Sequence, residues 1–153
     1  MRITILCVSK RPREWVSAAA NDYLKRLTGQ LDVVVREVAP IKRSSRSDQL
    51  DKEADRLRRC CPRGAYQIAL DERGEHWSTK DLAVNLDKWR SECANVVFFI
   101  GGAEGLAPSI VAGADRHWSL SQLTLPHQLV RVIVIEQLYR GWGILHNHPY
   151  HRA

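Results

Sequence analysis

The sequence predicts one α/β domain, a mostly parallel sheet flanked by helices. Three observations carry that prediction. Five short runs rich in β-branched and apolar residues alternate with stretches of helical period, the order that βαβ units require. The run 96–100, Val-Val-Phe-Phe-Ile, is apolar without a break, as in strands buried on both faces of a parallel sheet. Glycine-rich or polar loops follow the later strands, where open α/β sheets form ligand crevices. A length of 153 residues suits a single domain, 1–153, and no Gly/Ser/Pro-rich linker or internal repeat divides it.

Residues 1–8 alternate and then turn solidly apolar, which suits a first strand near the sheet centre. The basic turn Lys10-Arg11-Pro12-Arg13 follows, equally suited to touching phosphates and to plain solvation. Pro12 is placed to open a helix through Leu27, with Trp15, Ala19, Tyr23 and Leu27 on one face. Residues 31–38 form a second strand, which Pro40 ends. Beyond the basic loop 42–47, Ser47 or Asp48 caps a helix to Cys60 that turns Leu50, Ala54 and Leu57 inward. Residues 66–70 are a third strand, broken by Asp71-Glu72-Arg73-Gly74, so Leu70 stands at a strand's carboxyl end. Ser78 caps a helix from Thr79 to Glu92 with Leu82, Leu86 and Trp89 facing the core and Trp77 under its start.

After the 96–100 strand, a short helix lies within 106–114, with Pro108 in its first turn, and a short strand covers 117–120. The last helix, 129–146, carries Val130, Val134, Leu138 and Trp142 along one stripe, with Ile133, Gln137 and Tyr139 beside it. That arc is wider than one core-facing stripe needs, so a homodimer through this helix is expected.

A formal charge of +6 fits a polyanionic partner, though many basic proteins bind no nucleic acid. Positive charge gathers in the 42–47 loop and at Arg56, Arg58, Arg59 and Arg63, which suits an RNA backbone or a merely solvated surface. The apolar runs are too short for a membrane span, and residues 1–8 are too short for a signal peptide. Cys7, Cys60, Cys61 and Cys93 lack metal spacing and read as buried or free thiols of a reducing cytoplasm. Of His146, His148 and His151, the first two straddle a helix end before Pro149, where no i, i+4 pair shares a face; no metal is expected.

The chemistry gathers in the last third. Gly101-Gly102-Ala103-Glu104-Gly105 lets the backbone turn sharply and approach a ligand closely. Ser121-Gln122-Leu123-Thr124-Leu125-Pro126 makes the facing loop, and His127 follows it at a helix start. There a neutral imidazole can donate a hydrogen bond, its cation disfavoured by the helix amino end; structural capping is its other role. The tail 147–153 has too few apolar residues for core, yet concentrates His148, Tyr150, His151 and Arg152, groups that stack on bases and pair with phosphates. No acidic residue stands where a GxGxxG dinucleotide fold requires one. Taken alone, these features end at a ligand-binding α/β domain. A non-catalytic RNA-binding module and a nucleotide-dependent small-molecule enzyme both remain compatible with them.

Several motifs closely resemble the ribosomal RNA large subunit methyltransferase H family. They are Gly101-Gly102-x-Glu104-Gly105-Leu106, Trp118-Ser119-Leu120-Ser121, Leu123-Thr124-Leu125-Pro126-His127, Glu136-Gln137-Leu138-Tyr139-Arg140 and the ending Asn147-His148-Pro149-Tyr150-His151-Arg152. Ala103 stands where many members carry proline. The resemblance covers essentially the whole chain and is densest from residue 95 onward. It implies a SPOUT-type fold with a C-terminal trefoil knot, a departure from the rule that chains do not thread loops.

It also implies N3-methylation of a pseudouridine in 23S rRNA, on the ribosome or large subunit, by a cytoplasmic homodimer using S-adenosyl-L-methionine. The knot and cofactor site then fall at about 95–146. Cofactor-binding residues are Leu70, Gly101, Gly102, Gly105, Ser121, Gln122, Leu123, Thr124, Leu125 and Pro126, with backbone amides from Leu123 and Leu125 at the adenine. A side chain at Gly102 is expected to occupy cofactor space. Catalytic candidates are His127, Glu136, Arg140, Tyr150, His151 and Arg152. Arg140 or Arg152 can stabilise the anion of an imide base, and His127 or Glu136 can accept its proton; sequence does not rank the four. A dimer lets one subunit's tail complete the other's pocket.

Overall fold

A computed structural model describes residues 1–42 and 45–151. Arg43 and Ser44 of the basic loop, and Arg152 with Ala153 in the tail, lie outside the described residues. The strands are β1 (Arg2–Val8), β2 (Asp32–Val38), β3 (Tyr66–His76), β4 (Asn95–Ile100) and β5 (Arg116–Ser119). The helices are α1 (Glu14–Leu27), α2 (Arg46–Cys60), α3 (Thr79–Glu92), α4 (Pro108–Gly113) and α5 (His127–Leu145), followed by a 3-10 turn, Pro149–His151. The strands make one sheet in the order β2-β1-β4-β3-β5, every pair parallel.

The apolar run of β4 takes the centre, and all of residues 96–100 are buried. Side chains alternate across the strand, so the two faces of β1 and β4 feed two cores. Ile3, Ile5, Val96, Phe98 and Ile100 pack with residues of α1, α3 and α5. Leu6, Val8, Val97 and Phe99 pack with Ala54 and Leu57 of α2 and Ile110 of α4. The result is helix, sheet, helix in three layers. Because all strands run the same way, their carboxyl ends meet at one edge, and that edge positions the site.

Several boundaries differ from expectation. Helix α1 starts at Glu14 rather than Pro12, because Arg13 is extended (φ −63°, ψ 153°) and its amide donates to Gln128 Oε1 at 3.2 Å. Helix α2 starts at Arg46, capped by Ser45, whose Oγ accepts from the Asp48 amide at 3.2 Å. Its serine-rich approach offered several competent caps. Ser78 caps α3 as expected, in a capping box with Asp81.

Strand β3 does not end at Leu70. Leu70 and Glu75 both pair with Trp118, so residues 71–74 bulge out and pairing resumes to His76. Gly74 allows this, since a Cβ there would lie 2.7 Å from the backbone of His117 and Trp118. Trp77 is half-buried and stacks on Trp118 at 5.1 Å between centroids.

Helix α5 needs the largest correction. Val134 and Leu138, on the stripe from which a dimer was expected, are fully buried inside this protomer with Ile135, and Tyr139 is nearly so. The stripe faces the chain's own sheet. What stays half-exposed is the opposite face, Leu129, Val132, Ile133 and Ile144 around the Glu136–Arg140 pair.

Candidate functional site

The carboxyl ends of β3, β4 and β5 frame a cleft of ≈ 150 Å³, closed on one side by the first turns of α5. Leu70, Ile100, Trp118, Leu125 and Val130 give it apolar walls. Two loops shape it, each held by its own short bonds.

In the first loop the Gly105 amide donates to the Gly102 carbonyl at 3.0 Å, and Gly105 takes φ +81°. A Cβ on Gly101 would lie 2.3 Å from the Gly105 carbonyl carbon, so this tight turn excludes any side chain there. At Gly102 a Cβ would meet Val8 Cγ1 at 3.2 Å, so packing against β1 restricts side chains there as well. In the second loop Ser119 Oγ donates to the Ser121 carbonyl at 3.0 Å, and Ser121 Oγ accepts from the Leu123 amide at 2.9 Å. The Leu123 amide is therefore occupied, while the Leu125 amide has no partner among the described residues. Leu123 leaves its side chain 74% exposed at the cleft rim.

Of the ten sequence-predicted binding residues, Leu70, Gly101, Gly102, Gly105, Ser121, Leu123, Thr124 and Leu125 line this cleft. Pro126 lines an adjoining outer groove instead, and Gln122 lines neither. Sequence reasoning missed Asp71, Glu72, Trp118 and Val130, which the β3 bulge, β5 and α5 bring to the wall. The usable signal was the parallel order itself, which sets the ends of β3 and β5 side by side.

The catalytic candidates divide into two groups. His127 stands in the cleft as the first residue of α5. Partial burial, and then the nearby Arg131 guanidinium, push its pKa below the usual histidine value, so it is neutral at neutral pH. Arg131 is itself buried, with Nη1 2.6 Å from Glu37 Oε1 on β2. That pair clamps the start of α5 to the far strand. Cys7 lies beneath it, and burial pushes its thiol up to about 11, so it is no nucleophile at neutral pH.

Glu136, Arg140 and Tyr150 form the second group, well down α5. Arg140 is thirteen residues beyond His127, roughly 20 Å at the helical rise. Arg140 Nη2 meets Glu136 Oε1 at 2.7 Å, and the Tyr150 hydroxyl lies 3.2 Å from both Glu136 and the Tyr23 hydroxyl. The Arg140 guanidinium also sits 4.8 Å from the Tyr150 ring centroid. Burial, with the Tyr23 hydroxyl and Glu136 beside it, raises the Tyr150 phenol well above its ordinary value. His151 ends the 3-10 turn, and Arg152 lies outside the described residues. One protomer thus does not bring its two groups together. Among the described residues no group of three or more His, Cys, Asp or Glu could hold a metal ion.

A family model described as "Predicted SPOUT methyltransferase" matches residues 1–151. The chain belongs to the SPOUT methyltransferase family. Relatives of this SPOUT methyltransferase span the same length. A protein named Ribosomal RNA large subunit methyltransferase H, from Polynucleobacter asymbioticus, is 43% identical over 152 residues, covering 99% of each chain. Its namesake in Paraburkholderia phymatum is 43% identical over 156 residues, covering all of both. Among solved structures, TrmJ from Z. mobilis ZM4 overlays 92% of this chain and 69% of its own at 16% identity and a TM-score of 0.49, a likeness too slight to bear on function.

Proposed function

We propose that this chain is an S-adenosyl-L-methionine-dependent methyltransferase of large-subunit ribosomal RNA, acting on the N3 of a pseudouridine in 23S rRNA. The observation that carries the reading is the full-length likeness to relatives of that name, met by a cleft at the expected loops. The reading includes a cytoplasmic homodimer, a ribosome or large-subunit substrate and a trefoil crossing of the C-terminal third.

The cleft fits the cofactor's parts. Leu70, Leu125 and Val130 offer apolar walls to a purine, the Leu125 amide is a donor without a partner among the described residues, and the 101–105 turn brings bare backbone to the wall. When bound, S-adenosyl-L-methionine supplies a methyl group made electrophilic by its sulfonium.

The chain's own residues then do three things. The cleft and the incoming base must be aligned, and such orientation is worth up to about 7–11 kcal/mol of a barrier. The N3 proton must leave, and among the candidates neutral His127 is the acceptor that one protomer places in its own cleft. The charge left on the imide needs a cation, and Arg140 is held rigidly for it by Glu136 and Tyr150. Because Arg140 lies roughly 20 Å down the helix, it serves the cleft of a second copy. The half-exposed face of α5, apolar around that ion pair, supports such pairing.

The test is incubation with labelled cofactor and ribosomes, large subunits or protein-free rRNA, then mapping of the modified base. Label at a pseudouridine N3 is expected. No label on any RNA, from protein that is folded, would overturn the reading.

A further inference from the structure

Two outer grooves lead from the cleft, and their charges differ. The groove on the β3 side is lined by Arg46 and Arg73 against Asp71, Glu72 and Glu104, a formal charge of −1. Its cations are already engaged, Arg46 with Glu104 at 2.9 Å and Arg73 with Asp71 at 3.5 Å. The groove on the β1 side, ≈ 320 Å³, is lined among the described residues by Lys10, Arg11 and Lys42 against Glu53 alone, a formal charge of +2 from these.

Glu53 does not offset those cations at the surface. It is 3% exposed, and its Oε1 accepts from the Ile41 amide at 2.9 Å and from Gln49 at 3.2 Å. Lys10, Arg11 and Lys42 are exposed and have no carboxylate partner among the described residues. Both walls are tied down. Gln128 Oε1 holds the 10–13 turn through the Arg13 amide, and Glu53 holds the wall beside Lys42 through the Ile41 amide. At its inner end the groove shares Gly102 and His127 with the cleft.

We propose that this β1-side groove is the phosphate track for the RNA strand flanking the target nucleotide, with Lys10, Arg11 and Lys42 as its contacts. Rigid backbone with free cations gathers phosphates without reading bases, which suits a site whose selectivity comes from the reacting nucleotide. The track runs to His127, so a strand lying in it brings its next base to the cleft mouth. The opposite groove, negative overall, repels a polyanion. The proposal deepens the rRNA reading and rests on it.

The test removes three charges from each of two places. The triple variant Lys10→Ala, Arg11→Ala, Lys42→Ala is compared with Lys25→Ala, Arg36→Ala, Lys80→Ala, three exposed cations that do not line the groove. Binding to a 23S rRNA fragment is followed against salt, with cofactor affinity measured by calorimetry and methylation kinetics on large subunits. The groove variant should flatten the log-affinity against log-salt slope by about 2, from three lost contacts at ~0.7 each. Its KM for RNA should rise roughly tenfold or more, with kcat and cofactor affinity unchanged. The control should keep the native slope. An unchanged slope in the groove variant, or an equal loss in both, overturns the track. Absence of methylation by the unaltered protein would overturn the parent reading instead, while the slope comparison still decides the groove.

Discussion

The two ends of α5 are built differently. At its start, the buried Arg131 reaches Glu37 and fastens the helix to the sheet, and His127 is held neutral in a cleft the same protomer completes. Toward its end, Glu136, Arg140 and Tyr150 are only partly covered and bond chiefly to one another and to Tyr23. The start is thus a finished pocket. The end is a preorganised set of polar groups with no pocket of its own. Rigid side chains held by mutual bonds but left at a surface are poised to act on something that arrives, and the proposed dimer supplies a second cleft.

The sharpest way to break that contrast is to separate the ends between subunits. Deleting residues 148–153 should reduce methylation to background while cofactor affinity stays within a few fold. Co-expressing that truncation with a cleft-disabled Gly101→Val chain should restore about a quarter of native activity. Random pairing makes half of the dimers mixed, and each mixed dimer holds one complete site. No recovery at all would show that cleft and tail act within one chain.

The next largest effect distinguishes the two faces of the helix. Leu138 is fully buried, so Leu138→Ala should cost about 2–5 kcal/mol in denaturant melts without changing oligomeric state. Ile133, on the half-exposed face, should when changed to Asp leave a folded monomer by light scattering. Finding the unaltered chain monomeric at micromolar concentration would remove the dimer from the account.

Within the cleft, the glycines differ in what opposes a side chain. Gly101→Ala drives a Cβ into the Gly105 backbone and should weaken cofactor binding tenfold or more. A Cβ at Gly102 comes no nearer than 3.2 Å to Val8 Cγ1, so Gly102→Ala should cost under threefold by calorimetry. Equal losses would mean that ligand, and not Val8, fills the space beside Gly102.

The smallest effect is His127 titration. Its native pKa is lowered, so its neutral form contributes stability above the unfolded histidine value, lost as pH falls through the range below 6.5. In an NMR titration assigned with His127→Asn, its midpoint should fall below 6.5. A midpoint above that would place His127 nearer a negative charge than the structure does.

Sequence and structure reach different parts of this molecule. The buried run 96–100, the glycine turn after it and the Ser78 cap were legible because each depends on neighbours a few residues away. So was most of the cleft, since its two loops directly follow two strands. The bulge that carries Asp71 and Glu72 into the wall was read as a strand's end, because its cause is Trp118, distant in sequence but opposite in the sheet.

The sequence by itself determined the layers, the loops and the types of groups available, because hydrophobic period and turn chemistry act locally. Only the tertiary structure decided which face of α5 is spent on the protomer's own core. Both faces are apolar enough to be buried, and the choice was made by the sheet, α1 and α3 packing against one of them. Only the tertiary structure, likewise, could show that Lys10, Arg11 and Lys42 have no carboxylate partner among the described residues while Arg46 and Arg73 do. A cation's charge is written in the chain; whether a carboxylate stands within reach of it is a matter of packing.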